Sequence, residues 1–161
     1  YIYWENLHLS EGARRVTGFS DAKYKKKAQP PAEILDHFEK YLYNKDYINL
    51  GHNILGFDIY IHNIYRKLLG RKTDYSYVKN SIDTLCIAKA IAKDIKLNDD
   101  DDRLSWQFKL NSVYERGLRL NLGACCKTYE VDLDRSQLHD ALYDIQKNYE
   151  VFQKMLWKIE I

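Results

Sequence analysis

The stretch Asp46-Tyr47-Ile48-Asn49-Leu50-Gly51-His52-Asn53-Ile54-Leu55-Gly56-Phe57-Asp58 decides the fold. Its first six residues are short, alternate in polarity and end in glycine, which predicts a strand. Phe57, Ile61, Ile64, Tyr65, Leu68 and Leu69 then recur at helical spacing, and Gly70 closes that helix as a C-terminal cap. Ser81-Ile82-Asp83-Thr84-Leu85 repeats the pattern: a second strand runs into a helix through Ile87, Ala88, Ile91 and Ile95. Strands alternating with helices imply an α/β fold with parallel pairing.

Outward from this centre, Tyr1–Trp4 reads as a strand, Ser10–Ser20 as a polar connector and Lys23–Lys27 as a basic loop. Pro31 suits the first turn of a helix running to about Asn44, with Ile34, Leu35, Phe38, Tyr41 and Leu42 on its apolar stripe. The acidic run Asp99–Asp102 is a solvated loop, since it lacks the alternating ligands and distal Glu of a calcium loop. Ser105 is expected to cap a helix carrying Trp106, Leu110, Val113 and Tyr114 that stops at Gly117. From Leu138 to about Ile159 a long amphipathic helix is expected to turn Leu142, Ile145, Tyr149, Phe152 and Leu156 inward. Only about three strands emerge. A parallel sheet needs cover on both faces, so a sheet this narrow predicts further strands upstream of Tyr1.

The composition sets the class. At 161 residues the chain is one domain's worth, and 45% hydrophobic with 30% charged residues excludes wholesale disorder. Lys and Arg number 25 against 23 for Asp and Glu, so any polyanion site must be local rather than a bulk-charge effect. The three cysteines, with Cys125 and Cys126 adjacent, fit neither a metal spacing nor a secreted framework; buried, reduced thiols in a cytoplasmic protein are expected. No apolar run approaches the roughly 20 residues of a membrane helix.

Two clusters carry chemistry. Asp58 follows a strand end, where ligands of α/β sheets gather; the plainer role is an acid at a helix start. Leu138-His139-Asp140-Ala141-Leu142-Tyr143-Asp144 places an imidazole near a carboxylate, a general-base pairing. On a continuous helix His139 and Asp144 stand roughly 140° apart. They converge only if His139 lies in the loop before the helix, with Ser136 as the cap that would set such a boundary. Asp140 ranks below Asp144, Asp83 is expected to cap or orient the turn after its strand, and His62 is expected at the surface.

With these residues the sequence resembles the DEDDh 3′–5′ exonucleases, the family that includes the proofreading subunit of bacterial replicative polymerases. His52-Asn53 with Phe57-Asp58 is similar to the second exonuclease motif, Ser81–Leu85 to the family's internal strand and turn, and Leu138–Asp144 to the third motif with its His-to-Asp spacing. Arg15–Ser20 and the Lys109–Leu118 region agree more weakly. The family's first motif, Asp-x-Glu, has no counterpart; Thr17 stands where a His is usual, and the Asn53-to-Phe57 spacing is one residue longer.

The resemblance implies a ribonuclease H-like three-layer fold, a mixed sheet flanked by helices, with residues 1–161 forming a single domain that is the C-terminal portion of that fold. It implies two divalent ions, Mg²⁺ or Mn²⁺, held by four carboxylates around the scissile phosphate; ions about 3.5–4 Å apart stabilise attacking and leaving oxygens. Asp58 and Asp144 would be ligands, His139 the general base, and Asn53 and His52 the residues that bind substrate at the single-stranded 3′ end of DNA. With two carboxylates instead of four, very weak activity is expected of these residues alone. A DNA polymerase is the implied partner. A nuclease-derived scaffold without catalysis and a related exoribonuclease are the competing readings.

Overall fold

The computed structural model describes all 161 residues, as a mixed α/β chain about 55% helical with one small parallel sheet. β1 (Asn49–Gly51) and β2 (Ser81–Asp83) pair in parallel, with Leu50 opposite Ile82. The crossover between them is a π-helical turn, Ile54–Asp58, that runs into α4 (Ile59–Leu68). Gly70, at φ 70°, follows that helix as expected. α5 (Thr84–Lys93) leaves β2 directly. The expected alternation of strand and helix is therefore realised, with strands of only three residues each.

The flanking helices differ from the sequence reading in instructive ways. Ser10–Ser20 is no connector: α1 (Glu11–Thr17) is capped by the Ser10 hydroxyl at one end and by Gly18 at φ 60° at the other. The basic segment is likewise helical, α2 (Asp21–Lys27), with Ser20 as its cap and Lys25–Lys27 in the last turn, where the dipole favours cations. Ile2 makes a single bridge to Gln29 and the first four residues form no strand. α3 (Pro31–Leu42) starts on its proline as expected. α6 (Arg103–Ser112) is capped by Asp102, not Ser105, and ends five residues before Gly117. α7 (Leu122–Thr128), capped by Asn121, has no counterpart among the expected helices.

α8 (Ala141–Met155) is the largest departure. Its buried residues are Asn148, Val151 and Met155, whereas Leu142 is 80% and Ile145 65% exposed, and Tyr149 and Leu156 are exposed too. The helix is rotated relative to the expected orientation because both of its faces carry apolar groups, and the chosen face presents Asn148 to a hydroxyl. Thr84 Oγ1 donates to Asn148 Oδ1 at 2.6 Å, which satisfies a polar pair that would otherwise be costly inside. α4 shows the same inversion: Phe57, Ile61, Ile64 and Leu68 face out, while Ile59, His62 and Asn63 are buried. His62 is thus no surface residue. Its ring lies 3.1 Å from Tyr77 Oη and 2.9 Å from Glu39 Oε1, and Glu39 also pairs with Arg66 and Arg71.

The core gathers around β2 and α5, with Ile82, Cys86, Ile87 and Ala90 packed beside Trp106, Leu110, Val151 and Met155. Gln107 gives this core an unusual boundary. Its Oε1 accepts from the Asp83 N–H at 2.7 Å, and its Nε2 donates to the Ser81 carbonyl at 3.1 Å. A buried side-chain amide thereby occupies the outer edge of β2 as a neighbouring strand would. Gln107→Leu is expected to leave both backbone groups unsatisfied and cost about 2–4 kcal/mol, readable as a lower urea midpoint with an unchanged slope.

Candidate functional site

The carboxyl ends of β1 and β2 open onto a cleft of about 360 Å³, the place where parallel sheets bind ligands. His52 and Asn53 line it from β1 and Leu85 from the start of α5, while Tyr114, Leu118 and Leu120 form the wall from the segment between α6 and α7. That wall carries no motif, and sequence reasoning missed it; Gly117 marked only where the chain bends. A larger hollow of about 550 Å³ lies between the close of α5 and Trp157–Glu160, and none of His52, Asn53, Asp58, His139 or Asp144 lines it.

Asp83 organises the carboxyl end of the sheet. It is fully buried, and its carboxylate accepts three backbone N–H groups: Asn53 at 2.8 Å, Leu55 at 3.0 Å and Leu85 at 2.9 Å. The last bond caps α5, as the sequence suggested; the other two latch the turn after β1 onto β2. The latch holds Asn53 at φ 65°, a left-handed conformation that Asn tolerates better than most residues. Gly56 is needed just beyond, because a Cβ there would lie 2.3 Å from Asn53 Oδ1.

His52 is committed on both ring nitrogens. Nδ1 lies 2.9 Å from Thr84 Oγ1, and the Leu120 carbonyl accepts from the ring's other side. Burial lowers its pKa from the ordinary value, against the opposing pulls of the Asp83 charge and the Leu120 bond. It sits in the cleft as a neutral strut between β1, α5 and the cleft wall. Asn53 offers its side chain to the same cleft.

Asp58 ends the π-helical turn and makes no capping hydrogen bond. Its residue is exposed, yet the protein around it disfavours the ionised form and raises its pKa; the Asp83 charge pushes the same way, and a bond to its own backbone opposes both. Between the ordinary and the raised value, the folded chain keeps a proton that the unfolded chain releases. The contribution of Asp58 to stability is therefore present at low pH and lost as pH rises through the folded value. Asp58→Asn is expected to leave the melting temperature unchanged in acid and to raise it at neutral pH, a difference that calorimetry at two pH values measures.

The third cluster is built at the start of α8. Asp140 is the cap, accepting from the Leu142 and Tyr143 N–H groups, a structural role that leaves Asp144 as the free carboxylate of the pair. The boundary therefore falls after His139, which lies in the loop at φ 74°, with its backbone N–H 3.4 Å from Asp144 Oδ1. Asp144 sits in the first turn, where the dipole favours an anion, and one turn ahead of buried Asn148. Ser136 is not the cap of α8; it belongs to a separate 3₁₀ turn capped by Asp134. Tyr143 Oη accepts from the Asp134 N–H at 2.7 Å and fastens that turn to α8.

The structure joins His139 to Asp144, and Asp58 electrostatically to Asp83. It gathers no three His, Cys, Asp or Glu side chains into a group that could hold a metal ion. Asp58 and Asp144 are half of a four-carboxylate set, so the donors present do not by themselves fit a two-ion centre. The thiols add no ligand or nucleophile: Cys86, Cys125 and Cys126 are all free and buried, and burial pushes Cys86 and Cys125 up to about 12. No helix is long and apolar enough to cross a membrane. No protein-family model, curated protein or solved structure matches the chain.

Proposed function

We propose that this chain is a portion of a metal-dependent 3′–5′ exonuclease with a ribonuclease H-like fold, acting at the single-stranded 3′ end of DNA in proofreading or repair. The observation that carries the reading is the junction at α8. Its cap at Asp140 puts His139 in the loop and Asp144 in the first turn, the one arrangement in which that imidazole and carboxylate share a site. Parallel β1 and β2 lend support by placing Asp58 just past a strand end.

In this reading His139, exposed beside Asp144, takes the proton from the attacking water. Asp58 and Asp144 are this chain's contribution to binding Mg²⁺ or Mn²⁺, whose charge stabilises the oxygens of the scissile phosphate. Buried free thiols suit a reducing compartment such as the cytoplasm. A second reading, a nuclease-derived scaffold that docks a polymerase without catalysis, is favoured by the lack of a converged ligand group. The two separate on 5′-labelled single-stranded DNA with Mn²⁺: the exonuclease shortens it progressively from the 3′ end, and the scaffold leaves it whole.

A further inference from the structure

One edge of the two-stranded sheet is sealed and the other is open. Gln107 takes the Ser81 carbonyl and the Asp83 N–H, so Ile82 is the β2 residue whose backbone faces β1. In a parallel ladder, Asn49 and Gly51 then face Ile82, and the N–H and C=O of Leu50 point away from β2. Neither group of Leu50 takes part in any turn, loop or cap hydrogen bond. Tyr47 and Ile48, leading into this edge, are 51% and 60% exposed.

The helices beside the open edge carry the two outward apolar stripes. α8 packs on β1 and exposes Leu142, Ile145, Tyr149 and Leu156. α4 continues from the turn that leaves β1 and exposes Phe57, Ile61, Ile64 and Leu68. Side chains of this size, about half exposed, leave on the order of 100 Å² each in water. The two stripes then total on the order of 800 Å², beyond the roughly 300–600 Å² of a typical monomer's largest patch and equal to one partner's share of a standard interface.

We propose that this open edge is the docking face for a second copy of the chain. Across a two-fold axis, Leu50 meets Leu50 of the partner subunit in antiparallel pairing, each donating its N–H to the other's carbonyl. Such a pair is self-complementary, as a two-fold interface requires. It turns two short ladders into one four-stranded sheet and covers apolar stripes that a single copy leaves in water. The proposal is independent of the nuclease reading.

Sedimentation velocity over a concentration series, with hydrogen exchange at the Leu50 amide, tests it. A discrete dimer is expected, with Leu50 exchange slowing as the dimer fills. Leu50→Pro removes only the outward N–H, so it should yield a monomer with unchanged far-ultraviolet circular dichroism. If that variant fails to fold, Leu142→Lys combined with Ile145→Lys changes exposed positions only, and is expected to weaken the dimer at least tenfold. A chain that stays monomeric at all concentrations, one that forms polydisperse aggregates without a discrete dimer, or a dimer insensitive to the folded variants with concentration-independent Leu50 exchange would overturn the proposal.

Discussion

Asp83→Ala is expected to lower the stability of the chain by on the order of 3–5 kcal/mol, a larger effect than that of any other single substitution proposed for this fold. The carboxylate accepts from three backbone donors in a fully buried position, and alanine accepts none. Each orphaned N–H costs about 1–3 kcal/mol. For a chain of this length the loss corresponds to a melting temperature lower by about 10 °C or more. Circular dichroism melts measure it directly, and a shift of a degree or two would show that the latch is dispensable. Asp83→Asn keeps the shape but loses an acceptor and the charge, so it should be the milder variant. It carries a second consequence. With the Asp83 charge gone, the Asp58 carboxyl should move back toward its ordinary pKa, which a carboxyl-carbon NMR titration resolves. One buried acid thus shapes both the fold of the turn and the ionisation of the candidate ligand it presents.

The second large effect concerns catalysis. His139→Ala is expected to reduce Mn²⁺-dependent release of 3′ nucleotides by about 10²–10⁴-fold, the range for losing a positioned general base. Asp144→Asn should abolish it, because a neutral amide neither holds a cation well nor accepts the His139 N–H as strongly. His139 is exposed and Asp144 lies in the first turn of α8, so both variants should melt within a degree or two of the parent. Full activity in either variant would remove that residue from the chemistry. The pair is best compared in the protein that shows exonuclease activity, against the same single-stranded substrate.

The centre of the fold was readable because its signals are local. Two short alternating runs ending near helix starts, a glycine closing α4 and an acid capping α5 all operate within a few residues. The His139–Asp144 geometry was readable for the same reason, since only a loop-to-helix boundary lets them meet. The orientation of α8 was not. Leu142, Ile145, Tyr149, Phe152 and Leu156 make the more apolar stripe, yet Asn148 is drawn inside by Thr84, a residue 64 positions away. His62 and Asn63 go inward on α4 by the same logic: their partners are Glu39, Tyr77 and Asp74, which no periodicity in α4 reveals. α1, α2 and α7 span seven residues each, two turns, too short for a periodic stripe to stand out from a polar linker. The cleft wall at Tyr114–Leu120 carries no motif because shape, not chemistry, gives it its place.

The central claim is that Asp58 and Asp144 serve one cation. A substoichiometric Mn²⁺ titration followed by amide NMR tests it without reference to activity, because the paramagnetic ion broadens the signals nearest to it. The claim predicts simultaneous loss of the signals around Asp58 and around His139–Asp144, and recovery of both sets in Asp144→Asn. Broadening confined to the acidic loop Asp99–Asp102, or to one of the two clusters alone, would contradict it.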